Sequence, residues 1–393
     1  MNRAKERILF LYLATGGGHI STARALAAEF NRRYSPEEVE THLLDGIPPE
    51  AALWRVLIEG GYRFSTLVIP VFWKILYRIG TIPIFMHGNS QSMILISCAH
   101  IRRYIRKHRI TRIVNLHFLM NTPLYRALRQ LGRLDMPAVT VVSDPFTCHP
   151  IWFFRQFTSL IVFSKRIWKQ AREYLPWFGV PSRLLPRERE VRIFPPVINA
   201  QFDKRLSRED CLKLKRKHGF SPEKPLILII GGGEGLPGGE KCLRAILAAA
   251  ETHIHIAFIC GRNVSQYKRI QHIAENHPQT TIKAYGFINF VYELMNMADI
   301  ILAKAGPATI FEALMLGKPL IITKRIYGQE QGNVNFVINR GYGWYIIRPG
   351  NLMTKIREIL TNPEITHQIV SHITEGSITN GTSRIVDYII TLS

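Results

Sequence analysis

Acidic residues are scarce in this chain. Of 393 residues only 29 are Asp or Glu against 51 Lys or Arg, a formal charge of +22. The shortage is local. No acid stands between Glu59 and Asp135, while that interval carries Arg63, Lys74, Arg78, Arg102, Arg103, Arg106, Lys107, Arg109, Arg112, Arg126, Arg129 and Arg133. Cysteine is also sparse: five residues with no CxxC pair exclude a disulfide scaffold and a zinc ribbon, and lead us to expect free thiols in a reducing compartment. Long apolar runs are missing too. The longest stretch without a formal charge, Ile79 to Ile101, is broken by Pro83, His87, Gly88, Asn89, Ser90, Gln91, Ser92 and His100, so no transmembrane helix is expected. The N-terminal apolar run is short and ends in glycines, unlike a signal peptide.

Apolar residues nevertheless make up 47% of the chain, which rules out bulk disorder and allows a large core. The acid-free interval needs an anionic partner or suffers self-repulsion. Trp54, Tyr62, Phe64, Phe72, Trp73, Tyr77 and Phe85 are interleaved with its cations. The stretch LVIPVFWKILYRIG mixes bulky aliphatics with scattered charge, which suits a segment lying in an anionic bilayer interface better than a nucleic-acid surface. The alternative is a buried helix with a solvated basic side. No nucleic-acid motif is present, and no nucleic-acid partner is expected.

Strand-like runs alternate with helical patterns throughout. They fall at Ile8–Ala14, Ile113–His117, Ala138–Val142, Leu160–Ser164 and Val191–Phe194, then at Leu226–Ile230, Ile254–Cys260, Thr281–Tyr285, Asp299–Ala303, Pro319–Thr323 and Trp344–Ile347. Helical patterns between them include Ser21–Arg33, Cys242–Ala250, Thr309–Leu316 and Val334–Arg340. The alternation implies an α/β fold with two Rossmann-like domains, joined near Pro195-Pro196 through Phe202, whose parallel sheets face a central cleft.

Four loops carry candidate chemistry. Thr15-Gly16-Gly17-Gly18-His19 follows a strand and opens a helix, bringing backbone close to a ligand and His19 to a position where it can take a hydroxyl proton. Gly231-Gly232-Gly233 begins a longer glycine loop that we read as close backbone approach to a ligand, without the acid an NAD site would offer near Arg262. Gly306, Pro307 and Thr309 open a helix where phosphates can dock, and Glu312 within it can accept two hydrogen bonds from a ribose diol. Gln329 and Glu330 in YGQEQGN suit sugar hydroxyls.

The segments TGGGHISTARAL, VVSDPFTCHPIWF, LIIGGGEGLPGG, FICGRN, KAGPATIFEAL and YGQEQGN occur here in one order. In that order the chain resembles the monogalactosyldiacylglycerol synthase and processive diacylglycerol glucosyltransferase family, relatives of the glycosyltransferase that makes lipid II. The resemblance implies a GT-B fold. Residues 1–200 would form the acceptor and membrane-binding domain, 201–370 the nucleotide-sugar domain, and 371–393 a segment crossing back to the first. It implies a UDP-sugar donor held by Gly231, Gly232, Gly233, Arg262, Phe287, Ile288, Gly306, Thr309, Glu312, Gln329 and Glu330. On the acceptor side it implies Gly17, Gly18, His149 and Trp152, with His19 or Asp144 as base.

The expected reaction moves a hexose to a lipid hydroxyl, above all that of diacylglycerol, with inversion. No DxD occurs in the chain, so no metal and no cofactor beyond the donor is expected. A polyprenyl-linked or lipid A-type acceptor and a catalytically silent lipid-binding homologue are the alternatives. The expected location is peripheral, on the cytoplasmic face of a membrane. Tyr327, where the family often has Pro, and Leu236-Pro237-Gly238-Gly239 depart from the family pattern and leave the donor sugar open.

Overall fold

A parallel strand covered on both faces has no polar side to show, so its sequence is apolar without alternation. Two such sets of strands organise the protein. The computed structural model describes residues 5–14, 17–61, 70–181, 190–249 and 253–392. Thr15 and Gly16 of the first glycine loop, and Tyr62, Arg63, Phe64 and 67–69 of the basic aromatic stretch, lie outside the described residues. The chain divides into two compact units. The first comprises Met1–Ala200, Tyr327–Gln329 and Asn380–Ser393; the second comprises Gln201–Ile326 and Glu330–Thr379.

In the first unit β1 (Glu6–Tyr12), β2 (Val39–Asp45), β3 (Arg112–Asn115), β4 (Ala138–Val141), β5 (Ser159–Val162) and β6 (Val191–Ile193) pair in the order β2-β1-β3-β4-β5-β6. All these pairings are parallel. Ile8, Leu9, Phe10 and Leu11 of β1 are completely buried. Every expected strand of this half is present, but the sequence reading omits β2. Its sequence, VETHLLD, has neither an apolar run nor strict alternation, because it lies at the sheet edge with one flank unpaired. The helix expected from Ser21 starts four residues earlier, spanning Gly17–Arg33, so the glycines themselves open it.

In the second unit β7 (Leu226–Ile230), β8 (His255–Ile259), β9 (Ile282–Tyr285), β10 (Ile300–Lys304), β11 (Leu320–Lys324) and β12 (Gly343–Tyr345) pair in the order β12-β11-β10-β7-β8-β9, again all parallel. Helices Gly239–Ala248 and Gly350–Thr361 cover one face through Leu243, Ile246, Leu352 and Ile356.

The returning segment begins later than expected. Residues 371–379 stay with the second unit, because Ile369 and Ile373 of the helix Pro363–Glu375 are buried there. From Asn380 the chain joins the first unit. The helix Thr382–Thr391 buries Ile385, Val386 and Ile389 in the same core as Phe10, Leu26 and Phe30. Arg33 pairs with Asp387 at 2.5 Å, and Thr382 Oγ1 accepts from Ile198 N at 3.1 Å.

Candidate active site

In open parallel sheets ligands bind beyond the carboxyl ends of the strands. The first unit gathers its polar residues there. His19 follows β1 by a short loop, Asn115 and His117 end β3, and Ser143 and Asp144 follow β4. Each is held by named partners. His19 Nδ1 lies 3.2 Å from Ser143 Oγ, and its ring centroid is 4.5 Å from that of His117 and 6.1 Å from that of Trp152. Burial lowers the His19 pKa to about 4, opposed by a hydrogen bond to the backbone of Leu116, so the ring is neutral near pH 7. Burial, and then His19 beside it, hold the His117 ring well below the usual imidazole range; its Nδ1 accepts from Leu119 N at 3.2 Å.

Asp144 is anchored by Trp152, whose indole N–H donates to Oδ2 at 2.8 Å. Gln329, counted with this unit, donates from Nε2 to Asp144 Oδ1 at 3.3 Å. A polar chain sets Trp152 in turn. Asn115 Nδ2 donates to Asn121 Oδ1 at 2.7 Å, and Asn121 Nδ2 donates to the Trp152 carbonyl at 3.0 Å.

Two acceptor-side expectations change here. Trp152 is fully buried and cannot touch an acceptor; it positions Asp144. His149 has both ring nitrogens engaged, Nε2 donating to Tyr77 O at 2.9 Å and Nδ1 accepting from Ile151 N at 3.1 Å. It clasps two segments together and has no ring nitrogen left to offer an acceptor. At Gly18 a Cβ would meet nothing within 4 Å. Gly17 opens the same helix, whose first turn has no acid to neutralise its N–H groups.

In the second unit, Glu312 is partly buried in the helix Pro307–Met315. Among the described residues its carboxyl group has no hydrogen-bond or ion-pair partner. Burial raises its pKa to about 8. Gly306 caps that helix without a side-chain bond, Pro307 occupies its first turn, and Thr309 is buried one turn before Glu312. Arg262 is exposed and stacks its guanidinium 4.5 Å from the ring centroid of Phe287, which is 59% exposed, with Ile288 half-buried beside it.

Glu330 departs from the expected sugar contact. Its carboxylate is buried, with Oε1 2.9 Å from Lys304 Nζ and Oε2 accepting from Ile326 N at 2.7 Å. Both oxygens staple the loop after β11 to the end of β10, a role that sequence reasoning missed because Lys304 stands in a different motif, KAGPATIFEAL. Gly231 also has a packing cause, since a Cβ there would collide with the backbone of Gly235 and Leu236. Gly232, at φ 76° and with open space around it, and Gly233, whose carbonyl accepts from Arg262 N at 2.8 Å, continue that turn. Ser143, Asn115, His117 and Asn121 were also missed. For Asn115, His117 and Ser143 the sequence signal was polar residues at or just after the ends of apolar strands; Asn121 opens the helix Asn121–Leu131 and carried none.

The first unit also exposes an apolar face. Val71, Phe72, Ile75 and Leu76 on the helix Pro70–Ile79 lie open, with Ile84 and Phe85 at the start of the helix Pro83–His108. Among the described residues no helix is long and apolar enough to cross a membrane, and no group of three His, Cys, Asp or Glu could hold a metal ion.

Residues 19–175 match the family model of monogalactosyldiacylglycerol (MGDG) synthase, and residues 226–371 match the glycosyltransferase family 28 C-terminal domain. The chain is 29% identical over 362 residues to the chloroplastic monogalactosyldiacylglycerol synthase of Spinacia oleracea, covering 90% of this chain and 66% of that protein. It is 30% identical over 352 residues to the probable monogalactosyldiacylglycerol synthase 2 of Oryza sativa subsp. japonica, covering 86% and 70%. The chain thus spans just under two thirds of the length of the spinach protein and 63% of monogalactosyldiacylglycerol synthase 1 of Arabidopsis thaliana. Its fold matches MurG of Acinetobacter baumannii at a TM-score of 0.58 and 16% identity, covering 98% and 99% of the two chains. It also matches Anabaena Alr3699/HepE in complex with UDP-glucose at 0.59 and 14%, again covering 98% and 99%. The two six-stranded parallel sheets are those of a GT-B fold.

Proposed function

The chain belongs to the monogalactosyldiacylglycerol synthase family, and on that premise we propose that it is a glycosyltransferase moving a hexose from a UDP-sugar to the free hydroxyl of diacylglycerol, with inversion and without a metal. The observation that carries this reading is the cluster of His19, Ser143, Asp144 and Trp152 at the carboxyl edge of the first sheet. It puts a neutral imidazole and a fixed carboxylate beside each other through consecutive residues of one loop. An acceptor hydroxyl gives its proton to His19 or Asp144 as it attacks the anomeric carbon, and the nucleoside diphosphate leaves.

Donor binding falls to the second unit. Among the described residues Glu312 has no partner for its carboxyl group, which is suited to accept hydrogen bonds from a ribose diol. Phe287 and Ile288 would flank the uracil. The helix start at Gly306 and Thr309, which has no side-chain cap, and the exposed Arg262 would neutralise the departing diphosphate. Gly232 and Gly233 would let backbone approach the donor, and Gln329 would act near its sugar. Glu330 supports that site by fixing its loop.

The exposed apolar face around Phe72 and Ile75, in an interval without acids, would hold the protein peripherally at an anionic bilayer where its acceptor is dissolved. We assign that bilayer's cytoplasmic face on the five unpaired cysteines.

The deciding experiment presents purified protein with diacylglycerol vesicles and a panel of UDP-sugars, with and without a chelator, and analyses the lipids by mass spectrometry. A hexosyl-diacylglycerol formed equally in both supports the reading. Transfer only to a polyprenyl-linked or lipid A-type acceptor replaces the acceptor, and no transfer to any lipid refutes it.

A further inference from the structure

A neutral imidazole has one N–H and one bare nitrogen, and the partner of one nitrogen decides which is which. His19, buried in the first turn of the helix Gly17–Arg33, has such a partner at Nδ1. It is Ser143 Oγ, at 3.2 Å, a hydroxyl with no other hydrogen bond among the described residues. With the proton on Nδ1, Ser143 accepts it and Nε2 is bare. The other tautomer puts the proton on Nε2, where the Leu116 carbonyl would accept it. Both ring nitrogens would then be engaged, and His19 could take no proton.

Ser143 is fixed on both sides. Val142 before it is fully buried and its N–H donates to Ile161 O at 2.9 Å, while Asp144 after it is held by Trp152. The titratable neighbours of the ring are His117, at the end of β3, and Asp144, on the same loop as Ser143. Both oxygens of Asp144 already accept hydrogen bonds, from Trp152 and from Gln329. Neither oxygen stands free in the way a bare Nε2 does.

We propose that Ser143 is a positioning residue whose Oγ accepts from His19 Nδ1–H and leaves Nε2 as the atom that takes the acceptor's proton. This rests on the glycosyl transfer proposed above and gives its base as His19 rather than Asp144. In that step the acceptor's O–H bond breaks and an N–H bond forms at Nε2. The acceptor oxygen bonds to the anomeric carbon, and the bond from that carbon to the diphosphate breaks, its electron pair leaving with UDP. The imidazolium so formed still donates from Nδ1 to Ser143, now as a charged donor, and such bonds are about twice as strong as neutral ones. The contact therefore strengthens as the proton moves, so its loss falls on kcat rather than on donor binding.

The test reads the tautomer directly, by nitrogen NMR of the whole ligand-free chain carrying isotope-labelled histidine. The His19 signals are those absent from His19→Gln. Near neutral pH the native ring should carry its proton on Nδ1, and Ser143→Ala should give a mixture of tautomers. That variant should also lose at least about tenfold in kcat with an unchanged KM for the UDP-sugar. Ser143→Thr keeps the hydroxyl and should restore both the tautomer and kcat, which a merely structural role does not predict. A proton on Nε2 in the native chain overturns the proposal and passes the base role to Asp144. A native kcat in Ser143→Ala, or a loss that Ser143→Thr does not restore, overturns it as well. A native chain that transfers no hexose refutes the proposed function and the base role with it, while the NMR signals still decide the Ser143 contact.

Discussion

Trp152 Nε1 donates to Asp144 Oδ2 at 2.8 Å, so a completely buried indole determines where a carboxylate at the sheet edge can point. Trp152→Phe keeps the ring volume and removes that donor. A hydrogen bond to a charged group contributes about 1.5–3 kcal/mol, and denaturant unfolding should show a loss of that order. If Asp144 takes part in proton transfer, kcat falls at least about tenfold while KM for the nucleotide-sugar holds. An unchanged kcat separates Trp152 from the reaction.

His19 makes stability depend on pH. Its pKa is about 4 in the folded protein, below its ordinary value of 6.5, because burial disfavours the charged ring. The unfolded chain therefore binds the extra proton first as pH falls. The stability is fully present above pH 6.5 and is lost as pH drops toward 4, to a total of about 3 kcal/mol from this group. His19→Gln should flatten the unfolding profile in that window and lower turnover far more than donor affinity. An identical acid limb in both proteins would falsify the assignment.

Glu312 has the opposite sign. Its folded pKa of about 8 lies above the ordinary 4.5, so its neutral form is the one the fold accepts. The associated stability is present below pH 4.5 and is lost as pH rises through 8. Glu312→Gln should thus stabilise the ligand-free protein at pH 8, by about 1–2 kcal/mol after allowance for its partial exposure. The same variant should weaken UDP binding about tenfold or more. Calorimetry of both properties is decisive: normal UDP affinity removes the ribose contact.

Glu330 tests whether a buried carboxylate is an anchor or a sugar ligand. Glu330→Ala strands Lys304 and frees Ile326 N, which should cost about 3 kcal/mol in urea unfolding. A direct sugar contact predicts something else, a raised KM for the donor in a protein of normal stability.

Membrane docking is tested on the open face. Phe72→Glu with Ile75→Glu should lower partition onto anionic vesicles at least about tenfold, since each buried apolar side chain contributes about 1.5–3 kcal/mol. Binding of the native chain should also fall as salt screens the cations. Turnover on a short-chain acceptor in solution should persist in the double variant. Equal vesicle binding by both proteins would move the docking surface elsewhere.

Much of this protein was written locally. Strands such as LILII at β7 are apolar because both faces are covered, and that condition shows in any window of sequence. The glycine loops, the absence of acids from 60 to 134 and the motif around Glu312 are likewise properties of neighbouring residues. β2 was not legible, because an edge strand with one flank unpaired tolerates Glu40, Thr41 and His42. Neither was the work of Trp152, His149 and Glu330, whose motifs suggested ligand contacts. Their partners, Asp144, Tyr77 and Lys304, lie 8 to 72 residues away in sequence. Depressed basicity at His19 and raised acidity thresholds at Glu312 belong to the same class. Both follow from the exclusion of water, which depends on what the whole chain packs around a group rather than on the group's neighbours in sequence.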